Sequence, residues 1–226
     1  DLAASPASAP ALLFKGATPT YGELQEQSNA FAAALVELGV RPRDRVAIVL
    51  PNSPQFFVCE FGAWKAGATV VPLNPIYSER EFEHALQDTR ADVLVTLTPF
   101  YHRLKSVQGR TSVRHVIASN IKEYLPATLR ILFTLLKEKK EGHRVGIAAD
   151  DFWLQNLLRR HRQAARPPVV VGPDDPAVIL SSGGTTGTPK GVLGLHRHYV
   201  AAGLQLYSRT KSAKENWTDV ILLPLP

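Results

Sequence analysis

Ser181-Ser182-Gly183-Gly184-Thr185-Thr186-Gly187-Thr188-Pro189-Lys190-Gly191 follows directly on the apolar run Ala177-Val178-Ile179-Leu180. These residues bring together five hydroxyls, four glycines and one ammonium, with no carboxylate among them. Glycines let backbone N–H groups turn toward an anion with no Cβ in the way, hydroxyls donate further hydrogen bonds, and lysine adds a compact positive charge. The pattern is that of a polyphosphate site. Its candidate binding residues are Ser181, Ser182, Gly183, Gly184, Thr185, Thr186, Gly187, Thr188 and Lys190, with Lys190 also the candidate catalytic residue. The alternative is a flexible Gly/Thr linker that binds nothing, but such a linker has no reason to sit between a buried strand and a helix. The spacing also departs from the Walker pattern GxxxxGK[ST], since Lys190 stands between Pro189 and Gly191, and so disfavours a P-loop kinase or GTPase.

Outward from this stretch, the chain reads as strand and helix in alternation. Its 226 residues are 45% hydrophobic and 20% charged, the composition of an ordinary soluble globular protein. The first ten residues carry neither the basic start nor the apolar core of a secretory signal, and Cys59 is the single cysteine, which excludes an intrachain disulfide. Both features lead us to expect a cytoplasmic protein. The chain contains no methionine and stops within the apolar run Leu222-Leu223-Pro224-Leu225-Pro226, so both ends read as cut.

Residues 11–20 suggest two short strands around a Gly-containing turn. Thr20 then opens a helix, with Glu23 completing a capping box and Leu24, Phe31, Leu35 and Leu38 on one face up to Gly39. Arg45–Leu50 reads as a fully buried strand. Ser53 and Pro54 start a helix that runs to Ala66, and Thr69–Leu73 is the next strand, so 45–73 forms a strand-helix-strand unit of the kind that builds parallel sheets. A helix over 78–89, a strand over 92–96, a helix from about 99 to 107 and a strand over 114–118 continue the alternation. We therefore expect an α/β fold with doubly wound, mostly parallel sheets flanked by helices.

The alternation breaks at 120–172. Residues 121–140 predict a helix with Ile121, Tyr124, Leu125, Leu129, Leu132 and Leu136 on one apolar face and Pro126 in its first turn. Over 121–166 ten Lys or Arg residues stand against five acids, which places most of the formal net charge of +6 here. An apolar face beside cations suits an anionic membrane surface, or the charge is a solvated face next to a core-docked helix. The cations are not interleaved with stacking aromatics, which argues against nucleic acid as a partner. A short helix over 150–162 and a linker over 163–176 with four prolines lead back to the opening stretch. The chain thus divides into a first α/β part over 1–120, a basic helical insert and linker over 121–172, and a loop-bearing part over 173–226. His143, His161, His196 and His198 are too scattered to predict a metal site.

Three motifs carry a resemblance. The stretch 181–191 resembles the [ST][ST]G[GT]TGxPKG signature of the adenylate-forming (AMP-binding) ligases, the superfamily of acyl-CoA synthetases, firefly luciferases and peptide-synthetase adenylation domains. Thr20-Tyr21-Gly22-Glu23-Leu24 and Trp64–Asn74 resemble two further core motifs of that superfamily, in the same order. Asn74-Pro75 suits acyl-CoA synthetases, and the Tyr124-Leu125-Pro126 and Lys137–Val145 pieces resemble bacterial long-chain fatty-acid ligases. Leu195 and His198 depart from the Thr-His-Arg-Asn-Leu that usually opens the helix after the loop, which puts the cap of that helix in question.

The resemblance implies the N-terminal portion of the large domain and a two-half reaction. A carboxylate attacks the α-phosphate of ATP to give an acyl-adenylate and pyrophosphate, and the thiol of coenzyme A then displaces AMP. It implies that Thr185, Thr186 and Lys190, then Ser182 and Thr188, hold the triphosphate, with Mg2+ bridging phosphate oxygens. A fatty acid is the expected substrate, with an aryl-acid ligase or luciferase-like enzyme as the runner-up. A non-catalytic nucleotide-binding or interaction fragment is the reading from another class. Because the superfamily places its adenine, magnesium, ribose and thiol groups beyond this loop, the chain alone is expected not to complete adenylation.

Overall fold

The computed structural model describes residues 6–181 and 190–210. In chain order the elements are α1 (Tyr21–Glu37), β1 (Arg45–Val49), α2 (Pro54–Lys65), β2 (Thr69–Pro72), α3 (Glu79–Thr89), β3 (Val93–Leu97) and α4 (Tyr101–Gln108). They continue with β4 (His115–Ser119), α5 (Ala127–Leu136), β5 (Phe152–Trp153), α6 (Leu154–Arg160), β6 (Pro176–Ser181), β7 (Gly191–Leu195) and α7 (His196–Thr210).

The side-chain alternation of β1 sets the layers. Val46 and Ile48 enter one apolar cluster with Phe31 of α1, Cys59 of α2 and Leu154 of α6, while Ala47 and Val49 enter another with Phe82 and Leu86 of α3 and Leu104 of α4. A strand with both faces buried reads as a continuous apolar run because period-2 side chains meet helices above and below. The sheet order is β5-β4-β3-β1-β2-β6-β7. Every neighbouring pair is parallel except β6–β7, which is antiparallel. This is the doubly wound, mostly parallel α/β sheet that the sequence predicts. Phe31, Phe82, Leu35 and Leu86 are wholly buried, and each such side chain contributes about 1.5–3 kcal/mol on leaving water.

The capping box of α1 forms as expected: Thr20 Oγ1 accepts from Glu23 N at 3.2 Å, and Glu23 Oε2 accepts from Thr20 N at 2.8 Å. Ser78 and Glu81 build the same box on α3. Ser53 holds the N-cap position of α2, but its hydroxyl does not cap the helix and is buried without a hydrogen-bond partner. Residues 10–20 make only isolated bridges, Pro10 with Thr20 and Phe14 with Ala17, in place of the two short strands. Cys59 is buried, and burial pushes its thiol well above the usual range.

The segment 121–172 departs most from the sequence reading. Ile121–Tyr124 is a short 3-10 turn capped by the Asn120 side chain, and α5 starts only after Pro126. Ile121 and Tyr124 are buried, whereas α5 has no buried residue, so the expected single apolar face is divided between the core and solvent. The segment also supplies strand β5, whose Phe152 and Trp153 pair with Ile117 and Ala118 of β4. Asp151 fixes this edge from inside: it accepts from Tyr101 Oη and lies 2.8 Å from Lys105 Nζ. Among the described residues no helix is long and apolar enough to cross a membrane.

Candidate functional site

β6 runs parallel to β2 through the pair Val70–Val178 and delivers Ser181 to the carboxyl end of the sheet. That is the end at which open α/β sheets bind ligands. β7 returns antiparallel, with Ser181 opposite Gly191, so the loop 182–190 closes a hairpin and Lys190 stands beside the strand that carries Ser181. The sequence reading passes straight from loop to helix and misses β7. The signal was thin, because Gly191-Val192-Leu193-Gly194-Leu195 has two glycines and no turn residue after it. Those glycines have a steric reason. A Cβ at Gly191 would lie 2.8 Å from Ile179 Cγ2, and one at Gly194 would lie 2.7 Å from Val178 Cγ1. β7 therefore lies against β6 more closely than a side-chain-bearing strand allows.

Lys190 and Gly191 line an open cleft of about 470 Å3 together with Ile179 and Leu193 of the hairpin and His84, Asp88 and Thr89 of α3. The cleft thus joins the foot of the loop to a carboxylate, an imidazole and a hydroxyl. His84 and Asp88 were not singled out by the sequence, since one helix turn of mixed polar residues looks like any solvated face. Lys190 is exposed and Ser181 is half-buried. Ser182, Gly183, Gly184, Thr185, Thr186, Gly187 and Thr188 lie outside the described residues.

The hairpin is held from behind by α2. Trp64 Nε1 donates to Ala177 O at 2.8 Å, and the Trp64 ring meets Tyr199 edge-on at 5.1 Å and His196 at 5.7 Å, both on α7. Burial lowers the His196 pKa and raises that of Tyr199, so both rings stay neutral at physiological pH. Glu60, one turn before Trp64, is pushed up to about 7 by burial. On the outer side Asp175 accepts from Arg43 at 2.8 Å and from Gly172 N at 2.7 Å, which holds its carboxyl below the usual carboxylate range and pins the turn into β6. The start of α7 resolves the question raised by Leu195 and His198. His198 Nδ1 accepts from Leu195 N at 3.2 Å, so a ring nitrogen supplies the return half of a capping box. The sequence treats Trp64 as scaffold. The structure makes it the clamp of the loop-bearing strand, and the usable signal was an indole N–H that needs a partner when buried.

Sheet, hairpin and loop define the class: an α/β protein of the doubly wound kind that carries a glycine- and hydroxyl-rich loop on an antiparallel hairpin. Among known families, that of the AMP-binding enzymes matches residues 1–226, and the chain belongs to it. Over 224 residues the chain is 34% identical to a long-chain-fatty-acid–CoA ligase of Yersinia pestis, taking in 97% of this chain and 40% of that protein. It is likewise 34% identical over 209 residues to a crotonobetaine/carnitine–CoA ligase of Salmonella arizonae, across 92% of this chain and 36% of that one. A long-chain-fatty-acid–CoA ligase from Archaeoglobus fulgidus superposes with a TM-score of 0.67 at 28% identity, covering 92% of this chain and 35% of that structure. The chain thus spans 40% or less of the length of each.

Proposed function

We propose that this chain supplies the triphosphate-binding loop of an ATP-dependent ligase that joins a fatty acid to coenzyme A. The observation that carries the proposal is the hairpin closure, which sets Lys190 beside Ser181 at the carboxyl end of a parallel sheet. In this reading Ser182, Thr185, Thr186 and Thr188 donate hydroxyls, and the glycines donate backbone N–H groups, to the β- and γ-phosphates. The Lys190 ammonium offsets the charge that grows on the leaving pyrophosphate as the substrate carboxylate attacks the α-phosphorus. The acyl-adenylate then meets the thiol of coenzyme A, which displaces AMP.

Among the described residues no group of three His, Cys, Asp or Glu side chains is placed to hold a metal ion. The hydroxyls of Ser182, Thr185, Thr186 and Thr188 would be the loop groups available to hold magnesium, oxygen donors of the kind that suit a hard cation, and the ion would supply charge neutralisation on the phosphates. The fatty-acid assignment draws on the relative from Yersinia pestis. The carnitine-ligase relative, at the same identity over a shorter stretch, keeps acids other than fatty acids within the test.

The test is carboxylate-dependent exchange of pyrophosphate into ATP by the full-length protein, with Lys190→Ala alongside. Exchange with long-chain acids that falls by about 100-fold or more in the variant is the expected outcome, the size of effect seen when one stabilising group is removed from an anionic transition state. Exchange with aromatic acids alone would replace the fatty-acid reading. No exchange with any acid would leave the non-catalytic nucleotide-binding module in its place.

A further inference from the structure

We infer that α5 is a membrane-docking element that lays its apolar face on an anionic phospholipid surface. The inference is independent of the ligase reading. It begins from burial: in a ten-residue helix none of whose residues is buried, Ile131, Leu132, Leu135 and Leu136 are 62%, 52%, 76% and 65% exposed. At 100° per residue these four and Leu129 fall on one broad side of the helix. Phe133 lies at the margin of that side, next to Leu129, and packs onto the core, edge-on to the His143 ring at 5.2 Å. Single exposed leucines are ordinary, but a contiguous apolar helix face in water marks an interaction surface.

Charge selects the partner. Over 121–144 six Lys or Arg residues stand against three acids. One of those acids, Glu138, is buried and turned inward, 2.6 Å from Lys122 Nζ. The end of the helix therefore leads into Lys137, Lys139, Lys140 and Arg144 with only Glu141 opposing them, 3.6 Å from Lys137 in an exposed pair of little weight. At the other end Pro126 packs near Gly16, which brings exposed Leu13 and Lys15 toward the start of the helix. An apolar face with a cationic rim is complementary to the acyl and headgroup layers of an anionic leaflet. The same rim opposes a second copy of the chain, because two such faces would bring like charges together.

The experiment is flotation of the full-length protein with phosphatidylcholine vesicles and with vesicles in which about one lipid in three is phosphatidylglycerol. We expect partitioning onto the anionic vesicles, weakened at least about tenfold by Leu132→Asp with Leu135→Asp. Lys139→Gln with Lys140→Gln should weaken it by a factor of about five per cation at low salt. Because all four positions face solvent, the thermal midpoint and circular dichroism of both variants should match the parent, which separates lost docking from lost folding. Three results would each overturn the inference: no binding to either vesicle, binding indifferent to the Leu→Asp pair, or a dimer in solution that this pair dissolves while vesicles stay unbound.

Discussion

Trp64→Phe isolates the bond on which the candidate loop hangs. Phenylalanine keeps an aromatic edge for Tyr199 and His196 but has no N–H for Ala177 O, now 2.8 Å from the indole nitrogen. Ala177 is wholly buried, so its carbonyl is left without that donor in a place water does not reach. An orphaned buried acceptor costs about 1–3 kcal/mol, and the partly preserved ring contacts are worth about 0.5–1.5 kcal/mol each. The expected loss is therefore about 2 kcal/mol, or about 4–8 °C in thermal midpoint for a chain of this size. Urea denaturation followed by circular dichroism reads the total, and hydrogen exchange by mass spectrometry reads the place. Exchange should quicken in 176–181 and 191–195 and stay unchanged in 93–97 and 115–119. Stability within about 0.5 kcal/mol of the parent would refute the reasoning, since that is the ordinary spread of surface substitutions. Uniform acceleration across the sheet would refute it as well.

Two further substitutions probe the support behind the clamp. A methyl at Gly62 would lie 2.7 Å from Phe31 Cδ1 and 2.9 Å from both Phe31 Cβ and Ser28 O, where α1 crosses α2. Overpacking of about 1–3 kcal/mol outweighs the gain of about 1 kcal/mol in helix propensity, so Gly62→Ala should lower stability in urea melts; a more stable variant would show that the helices part freely. Glu60 carries a pKa raised by burial to about 7, so the folded state holds its proton more tightly than the unfolded one. Stability from this site is full below the ordinary carboxylate range and is lost as pH rises through about 7, by at most on the order of 3 kcal/mol. Glu60→Gln should match the parent near pH 5 and exceed its stability near pH 8 in the same melts, and equal stability at both would contradict the assignment.

The sheet was legible because β1 to β4 are apolar on both faces, a pattern that period-2 burial between two helix layers demands. The capping box at Thr20 was equally plain, since cap and return residue sit three apart, whereas the box of the same spacing at Ser78 was not singled out. β5 was hidden because two residues cannot display a period, and it owes its place to Asp151 bonding across to Tyr101 and Lys105. β7 was hidden by the glycines that let it approach β6. At the site, the loop announced itself through composition, whereas Trp64, His84 and Asp88 depend on which segments the topology brings together. The length of α5 was overread because Leu125 and Pro126 interrupt a periodicity that continues across them.

The bond from Trp64 to Ala177 spans 113 residues of chain, and β6 inserts next to β2 only after β3, β4 and β5 have been made. As the chain emerges from the ribosome, the core around β1 can assemble while the outer edge of β2 still presents unpaired N–H and C=O groups. An open edge is a template for another strand, in this chain or a foreign one. The hairpin that seats the loop is therefore also what closes that edge, and until it docks the nascent protein carries a row of unspent hydrogen bonds beside its most apolar strands.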